Sequence, residues 1–277
     1  MKKGVLAKFV AVILVCVILD IVLHLVTSAY STMPENPHYS MVAEVLGTEM
    51  TVSLWALLSF SGAAGVYYLV RDTIPGEGVQ KGLRYGSAIA LLWLSAMLEG
   101  VALFGNPLVN EFVVGLSDAI PVFLMGIILS LLFNESGQHA AVSPWTPGQK
   151  MTAVSIITAI FFAGRYIAYV TGAIQSGYQT SPVSTLFWTV FMGACIGVVC
   201  ILLGTIEDTS SPGRRAATFG FLIFGVNWAV FLVFMPLLFS GYLTDVIIRI
   251  MIDPLLVTIG YYLAYRPGVG FGPTLLH

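Results

Sequence analysis

Phe112-Val113-Val114-Gly115-Leu116-Ser117-Asp118-Ala119-Ile120-Pro121-Val122-Phe123-Leu124-Met125-Gly126-Ile127-Ile128-Leu129-Ser130-Leu131-Leu132-Phe133 is a run of 22 residues with a single charge. As an α-helix it extends about 33 Å, enough to cross the roughly 30 Å hydrocarbon core of a bilayer. Seven further stretches have the same character: 9–28, 51–70, 85–104, 151–172, 184–206, 216–239 and 243–264. None shows the short alternating pattern of barrel strands. Polar or turn-rich spacers divide them, such as Pro75-Gly76-Glu77-Gly78, the 134–150 segment with Pro144 and Pro147, and Ser210-Ser211-Pro212-Gly213. The fold expected is therefore all-α, a polytopic membrane bundle of eight transmembrane helices.

Composition agrees. Of the 277 residues, 57% are hydrophobic and only 9% charged, against about 25% charged in soluble domains. A net charge of −2 and the lack of a basic block argue against a nucleic-acid partner. The bilayer is the expected partner. Cys16, Cys195 and Cys200 all lie in apolar runs, without CxxC or zinc spacing, and read as small core residues. Met1-Lys2-Lys3 and the small residues Thr27-Ser28-Ala29 have the outline of a cleaved signal, but Asp20 and His24 interrupt its apolar region, so the segment is expected to be retained as the first span.

Charge distribution sets the expected orientation. With the N-terminus in the cytoplasm, Lys2, Lys3, Lys8, Arg71, Lys81, Arg84, Lys150, Arg214, Arg215 and Arg266 all fall inside. Arg165 and Arg249 lie within spans, and the outside loops carry Glu35, Glu44, Glu49 and Glu111 instead. The positive-inside rule then places both termini in the cytoplasm of a cell (plasma) membrane protein. Losing one span would scatter the basic residues to both sides.

The two halves look alike. Leu25-Val26-Thr27-Ser28-Ala29 closes span 1, and Tyr169-Val170-Thr171-Gly172-Ala173 closes span 5. Spans 2 and 6 exit through Asp72, Glu77, Lys81, Arg84 and through Glu207, Asp208, Arg214, Arg215. Span 3 has Trp93 and span 7 has Trp228. Span 4 has Asp118 before Pro121, with Gly126, and span 8 has Asp253-Pro254, with Gly260. The expected organisation is a first four-helix repeat at 1–134, a cytoplasmic linker at 135–150, and a second repeat at 151–277 that includes a short tail. Four spans per repeat make the repeats parallel, related by an axis along the membrane normal.

The first half, and the second more weakly, resembles a class of small four-span bacterial and archaeal membrane proteins known mainly as a domain of unknown function. The likeness rests on Asp20 and His24 in the first span, the acidic outside loop, Gly82-Leu83-Arg84-Tyr85-Gly86 at the start of span 3, and Asp118 early in span 4. It implies an architecture, a tandem duplication of that domain, and no activity. No catalytic residue follows from it.

Ionisable groups at mid-membrane cost at least about 2.5–3.5 kcal/mol each, so they face the bundle interior and mark function or pairing. The candidates are Asp20, His24, Glu99, Asp118, Arg165, Arg249 and Asp253. Depth along the helices puts them near the midplane or in the outer half, where they could share one polar layer between the repeats. The excess of carboxylates over arginines suggests a proton, a cation or a small solute as ligand, and histidine titrates near neutral pH. Pairing alone is the competing explanation: Arg249 with Asp245 and Asp253, and Arg165 with Asp20 or Glu99. Pro121 and Pro254, each just after an Asp, suggest kinked, discontinuous helices of the kind found at transport sites. Gly193-x3-Gly197 and Gly62/Gly65 suggest close packing within the fold. The outside loop 29–50 reads as an ordinary polar connection.

Other chemistries lack their residues. One intramembrane histidine does not provide bis-histidine haem ligation, no predicted span contains a lysine for a Schiff base, and HExxH, GxSxG, Walker A and GxGxxG are absent. Spacing alone reveals no metal centre and no cofactor. The reading that follows is a small-solute or ion permease. The alternatives are a structural or accessory subunit, with a membrane-protein partner or a second copy of the chain, and, more weakly, a membrane enzyme acting on a lipid-like substrate.

Overall fold

The computed structural model describes residues 3–33, 37–133, 146–203 and 211–265. Among these the secondary structure is helical, and no strand forms. Eight helices are long and apolar enough to cross a membrane: Gly4–Val26, Thr48–Val70, Val79–Leu103, Leu108–Phe133, Pro147–Val170, Pro182–Leu203, Pro212–Leu238 and Leu243–Tyr265. The chain is an all-α, multi-pass membrane bundle. All eight expected spans are present, and most begin several residues earlier than the apolar runs, so Lys8, Lys81 and Lys150 fall inside helices rather than before them.

In chain order the elements are α1 (Lys3–Val26), α2 (Met41–Leu46), α3 (Thr48–Val70), α4 (Val79–Met97), α5 (Glu99–Leu103), α6 (Leu108–Phe133), α7 (Pro147–Val170) and α8 (Pro182–Leu203). The seventh span is composite: α9 (Pro212–Ala217), a π-helical stretch over Thr218–Gly225, α10 (Val226–Leu232) and α11 (Phe234–Leu238). The last span is α12 (Leu243–Tyr265).

Local chemistry explains several boundaries. Thr146 and Gln149 form a reciprocal capping box with Pro147 in the first turn of α7, which satisfies otherwise orphaned backbone donors. Ser211 and Pro212 repeat the Ser/Thr-then-Pro start at α9. α7 stops at Gly172, whose φ of 67° is the left-handed conformation glycine adopts freely. There Ala173 N–H donates to Ala168 and Gly172 N–H to Tyr169, closing a Schellman turn.

Within the first half, α1 packs on α3 and α6, and α4 lies along α6. Within the second, α7 packs on α8 and α12, and α12 lies along the π stretch. Between the halves, α3 packs on α10 and α4 on α8. Small residues set the closest approaches. A methyl on Gly86 would land on the Phe123 carbonyl, and Gly82 is pressed against Gly126 and Ser130. Gly193 and Gly197 of the GxxxG motif meet the α7 backbone at Thr158 and Val154, so that motif packs inside the fold.

Two tryptophans stitch the halves together reciprocally. Trp55 of α3 donates its indole N–H to the Val230 carbonyl of α10 at 3.0 Å. Trp188 of α8 donates to the Ser95 carbonyl of α4 at 2.8 Å. At the end of the bundle where α1 finishes, the following loop docks on the tip of span 7. Ser40 N–H donates to Leu238, Ser240 N–H to His38, and Tyr39 stacks on Phe239. Much of the 29–50 connection is thus anchored, and its Met33-to-Tyr39 stretch includes positions 34–36, which lie outside the described residues. Glu207, Asp208, Arg266 and the 134–145 part of the expected linker also lie outside them.

The prolines do not interrupt their helices. α6 runs unbroken through Pro121 and α12 through Pro254, contrary to the discontinuities expected there. A proline costs one backbone bond, and a buried helix can tolerate that loss. The interruptions fall instead at Leu98, between α4 and α5, and at Val233, between α10 and α11. They lie the same number of residues beyond Trp93 and Trp228.

Candidate functional site

The seven candidate residues divide between two places rather than meeting in one site between the repeats. Glu99, Arg165, Arg249 and Asp253 meet where the halves join. Asp20, His24 and Asp118 meet within the first half, between α1 and α6.

The junction is built around Arg165, whose side chain is fully buried. Its Nε and Nη2 donate to Asp253 Oδ1 and Oδ2 at 2.7 and 2.6 Å, a bidentate pair. Its Nη1 reaches Glu99 Oε1 at 3.2 Å and the Tyr169 hydroxyl at 3.4 Å. Trp228 donates to Asp253 Oδ2 at 2.8 Å. The guanidinium sits among the rings of Phe161, Trp188 and Trp228, at 5.3–6.0 Å. Arg249 continues the network. It donates to Glu99 Oε1 at 2.7 Å, to Asp245 Oδ2 at 2.6 Å, and to the Gln175 carbonyl. Asp245 also accepts from Gln175 N–H at 2.6 Å. Glu99 reaches this network because the helix breaks at Leu98 and α5 starts there.

Pairing is therefore as expected for Arg249 with Asp245 and for Arg165 with Glu99, but Arg165 takes Asp253 and not Asp20, and Arg249 does not pair with Asp253. The i,i+4 spacing of Asp245 and Arg249 was visible in the sequence. Trp228, Tyr169 and Gln175 carried no signal, because an indole, a phenol and a backbone amide have ordinary structural roles almost everywhere. Buried and this fully hydrogen-bonded, the network is a lock. Removing one partner of a buried pair costs about 3–5 kcal/mol.

The second cluster has the opposite character. Asp20 and Asp118 are 1% and 3% exposed. Oδ1 of each is buried and has no hydrogen-bond partner. His24 lies one turn beyond Asp20 on α1. Its Nε2 is 3.6 Å from Asp118 Oδ1, and its Nδ1 is 3.8 Å from Asp20 Oδ1. Nδ1 also lies 3.0 Å from the Asp20 carbonyl oxygen, which only accepts, so Nδ1 carries a proton, and Nε2 faces Asp118. One ligand atom from each of the three residues falls within a 4.8 Å group. Just beyond, the Thr27 and Ser117 hydroxyls meet at 3.0 Å and pin α1 to α6. His24 is the accessible member, its side chain 35% exposed.

Sequence spacing shows two of the three members, Asp20 and His24 on one helical face. Asp118 joins only through the packing of α1 on α6, so the absence of a metal-ligand pattern in the sequence did not anticipate a three-residue set able to hold an ion. A further buried carboxylate, Glu111, is held by Asn106 against Gly100, where a side chain would collide with it.

Comparison of the chain with family models, with curated proteins and with solved structures finds no match in any of the three.

Proposed function

We propose that this integral membrane protein is a small-cation or proton permease whose working site is Asp20, His24 and Asp118. The observation that carries the reading is the pair of buried Asp oxygens without hydrogen-bond donors, beside the His24 imidazole. Acceptors gathered in a low-dielectric interior repel one another unless a positively charged species joins them. A proton or cation that enters and leaves supplies that charge.

A tandem duplication sharpens the contrast. It is supported by the reciprocal bonds of Trp55 and Trp188, by breaks at Leu98 and Val233, and by helix neighbours that are the same when the halves are exchanged, with α3 on α10 answering α8 on α4. In that register Asp118 corresponds to Asp253 and Trp93 to Trp228. The second half neutralises its aspartate with Arg165 and Trp228. The first half has Asp20 near the position of Arg165, and its Trp93 indole N–H has no hydrogen-bond partner. One copy is closed by an ion pair and the other is left open to exchange. With both termini in the cytoplasm of the plasma membrane, the open site lies toward the outside.

Reconstitution into liposomes carrying an internal pH dye tests the reading. An outward-to-inward proton gradient should dissipate faster than in protein-free vesicles, and Asp118→Asn and Asp20→Asn should each reduce that flux at least tenfold while remaining monodisperse in detergent. Flux at the protein-free rate, or unchanged in both variants, overturns it. The complete pairing of Glu99, Arg165, Arg249 and Asp253 favours a second reading, an accessory subunit held rigid at its centre. That reading predicts no flux and no dependence on Asp118.

A further inference from the structure

We propose that Asp20, His24 and Asp118 bind a divalent transition-metal ion of the Zn2+, Co2+ or Mn2+ class; this names the ligand of the site on which the permease reading rests.

Three features of the geometry point to a metal rather than to a proton alone. The first is the histidine. Metal-bound imidazoles almost always donate their other ring N–H to a carbonyl or carboxylate, which fixes the tautomer and aims the free nitrogen at the ion. His24 already does this, with Nδ1 at 3.0 Å from the Asp20 carbonyl oxygen and Nε2 turned to Asp118.

The second is distance. Two ligands each about 2.1 Å from one ion lie at most about 4.2 Å apart. The Nε2–Oδ1 separation of 3.6 Å fits a shared ion, and it is too long for a hydrogen bond between the two groups.

The third is charge. With both carboxylates ionised and the imidazole neutral, the site would sum to −2, which one divalent cation cancels and one proton does not. A site buried within a bilayer strongly favours the neutral total. The mixed nitrogen and oxygen donor set disfavours Mg2+ and Ca2+, which prefer oxygen alone, and an all-oxygen shell is not available from these three side chains. Three protein ligands leave coordination positions for water or for exchange, as in open rather than structural sites. The partly exposed His24 is the natural point of entry.

The experiment uses the full chain, purified in detergent without a polyhistidine tag and stripped with a chelator. Co2+ is titrated while the visible d–d absorption is followed, and Zn2+ is then added to displace it. Expected is one Co2+ per chain, displaced by Zn2+, with affinity at least tenfold weaker in His24→Ala and in Asp118→Asn and unchanged in the control His38→Ala. His24 is partly exposed, so its variant tests the site without opening the core. A thermal-shift series with Zn2+ and Mg2+ accompanies it, since a ligand that prefers the folded state raises the melting temperature. Absence of Co2+ binding, binding unaltered in both site variants, or equal stabilisation by Mg2+ overturns the proposal. Proton flux in vesicles without metal binding removes the metal and leaves the permease. Metal binding without flux supports the metal site and removes permeation.

Discussion

The indole N–H of Trp228 donates to Asp253 Oδ2, the same oxygen that Arg165 Nη2 holds. One carboxylate thus takes three donors from two side chains, and this is how the bundle tolerates a charge at its core. A charge-assisted hydrogen bond contributes about 1.5–3 kcal/mol. Trp228→Phe keeps an aromatic ring but deletes the donor and part of the buried ring volume, and should lower unfolding stability in detergent by at least that amount. An unchanged denaturation midpoint would show that the bond is redundant.

Arg165 offers a sharper test. Arg165→Met strands Asp253 and should destabilise by about 3–5 kcal/mol, whereas the double variant Arg165→Met with Asp253→Leu should recover most of the loss, because a buried pair can often be replaced by apolar residues at little cost. Denaturation of all three proteins measures the difference. Equal losses in the single and double variants would contradict the assignment of a buried pair.

Opposite signs are expected from the two aspartates. Asp253→Asn weakens a paired network and lowers the melting temperature. Asp118→Asn replaces a carboxylate whose Oδ1 has no hydrogen-bond donor, and in metal-free buffer it should raise the melting temperature. The gain, about 1–3 kcal/mol, is the penalty of an unsatisfied buried group. Differential scanning fluorimetry of the two variants side by side reads the signs. A fall in both would mean that Asp118 is as well satisfied as Asp253.

Gly86→Ala probes a tight contact between two helix backbones. The added methyl meets a main-chain carbonyl at Phe123 that cannot rotate away, so α4 and α6 must separate. Overpacking of this kind typically costs about 1–3 kcal/mol. Gly65, with open space around it, is the control, and Gly65→Ala should leave stability within about 0.5 kcal/mol.

Trp55→Phe and Trp188→Phe should lose similar stability, about 0.5–1.5 kcal/mol each from the bond alone, because each removes one indole donor across the same kind of helix pair, shared between the Val230 and Phe231 carbonyls for Trp55 and given to Ser95 for Trp188. Unequal losses would indicate that the two crossings are not equivalent.

The eight spans were legible because a bilayer demands long apolar runs and tolerates few exceptions. Residues 9–28 and 112–133 leave no other option. What pairs with what was less legible. Asp20 and His24 announce each other through the 3.6-residue period, and so do Asp245 and Arg249. Asp118 and Glu99 meet their partners only through helix packing, which depends on glycines such as Gly82, Gly86 and Gly126 in ways that a single apolar run does not encode. The helix breaks were less legible as well. Pro121 and Pro254 stay inside continuous helices, the break at Val233 falls one turn before Pro236, and the break at Leu98 has no proline beside it.

The reciprocal tryptophan bonds also bear on how the chain is made. Trp55 has no carbonyl to receive its N–H until Val230 has left the ribosome, and Ser40 must wait for Leu237 and Leu238. The early helices therefore remain without their final neighbours during most of translation. A nascent chain stalled between the halves would present those vacant faces, that of α3 among them, to whatever insertion factor attends it until span 7 arrives to cover them.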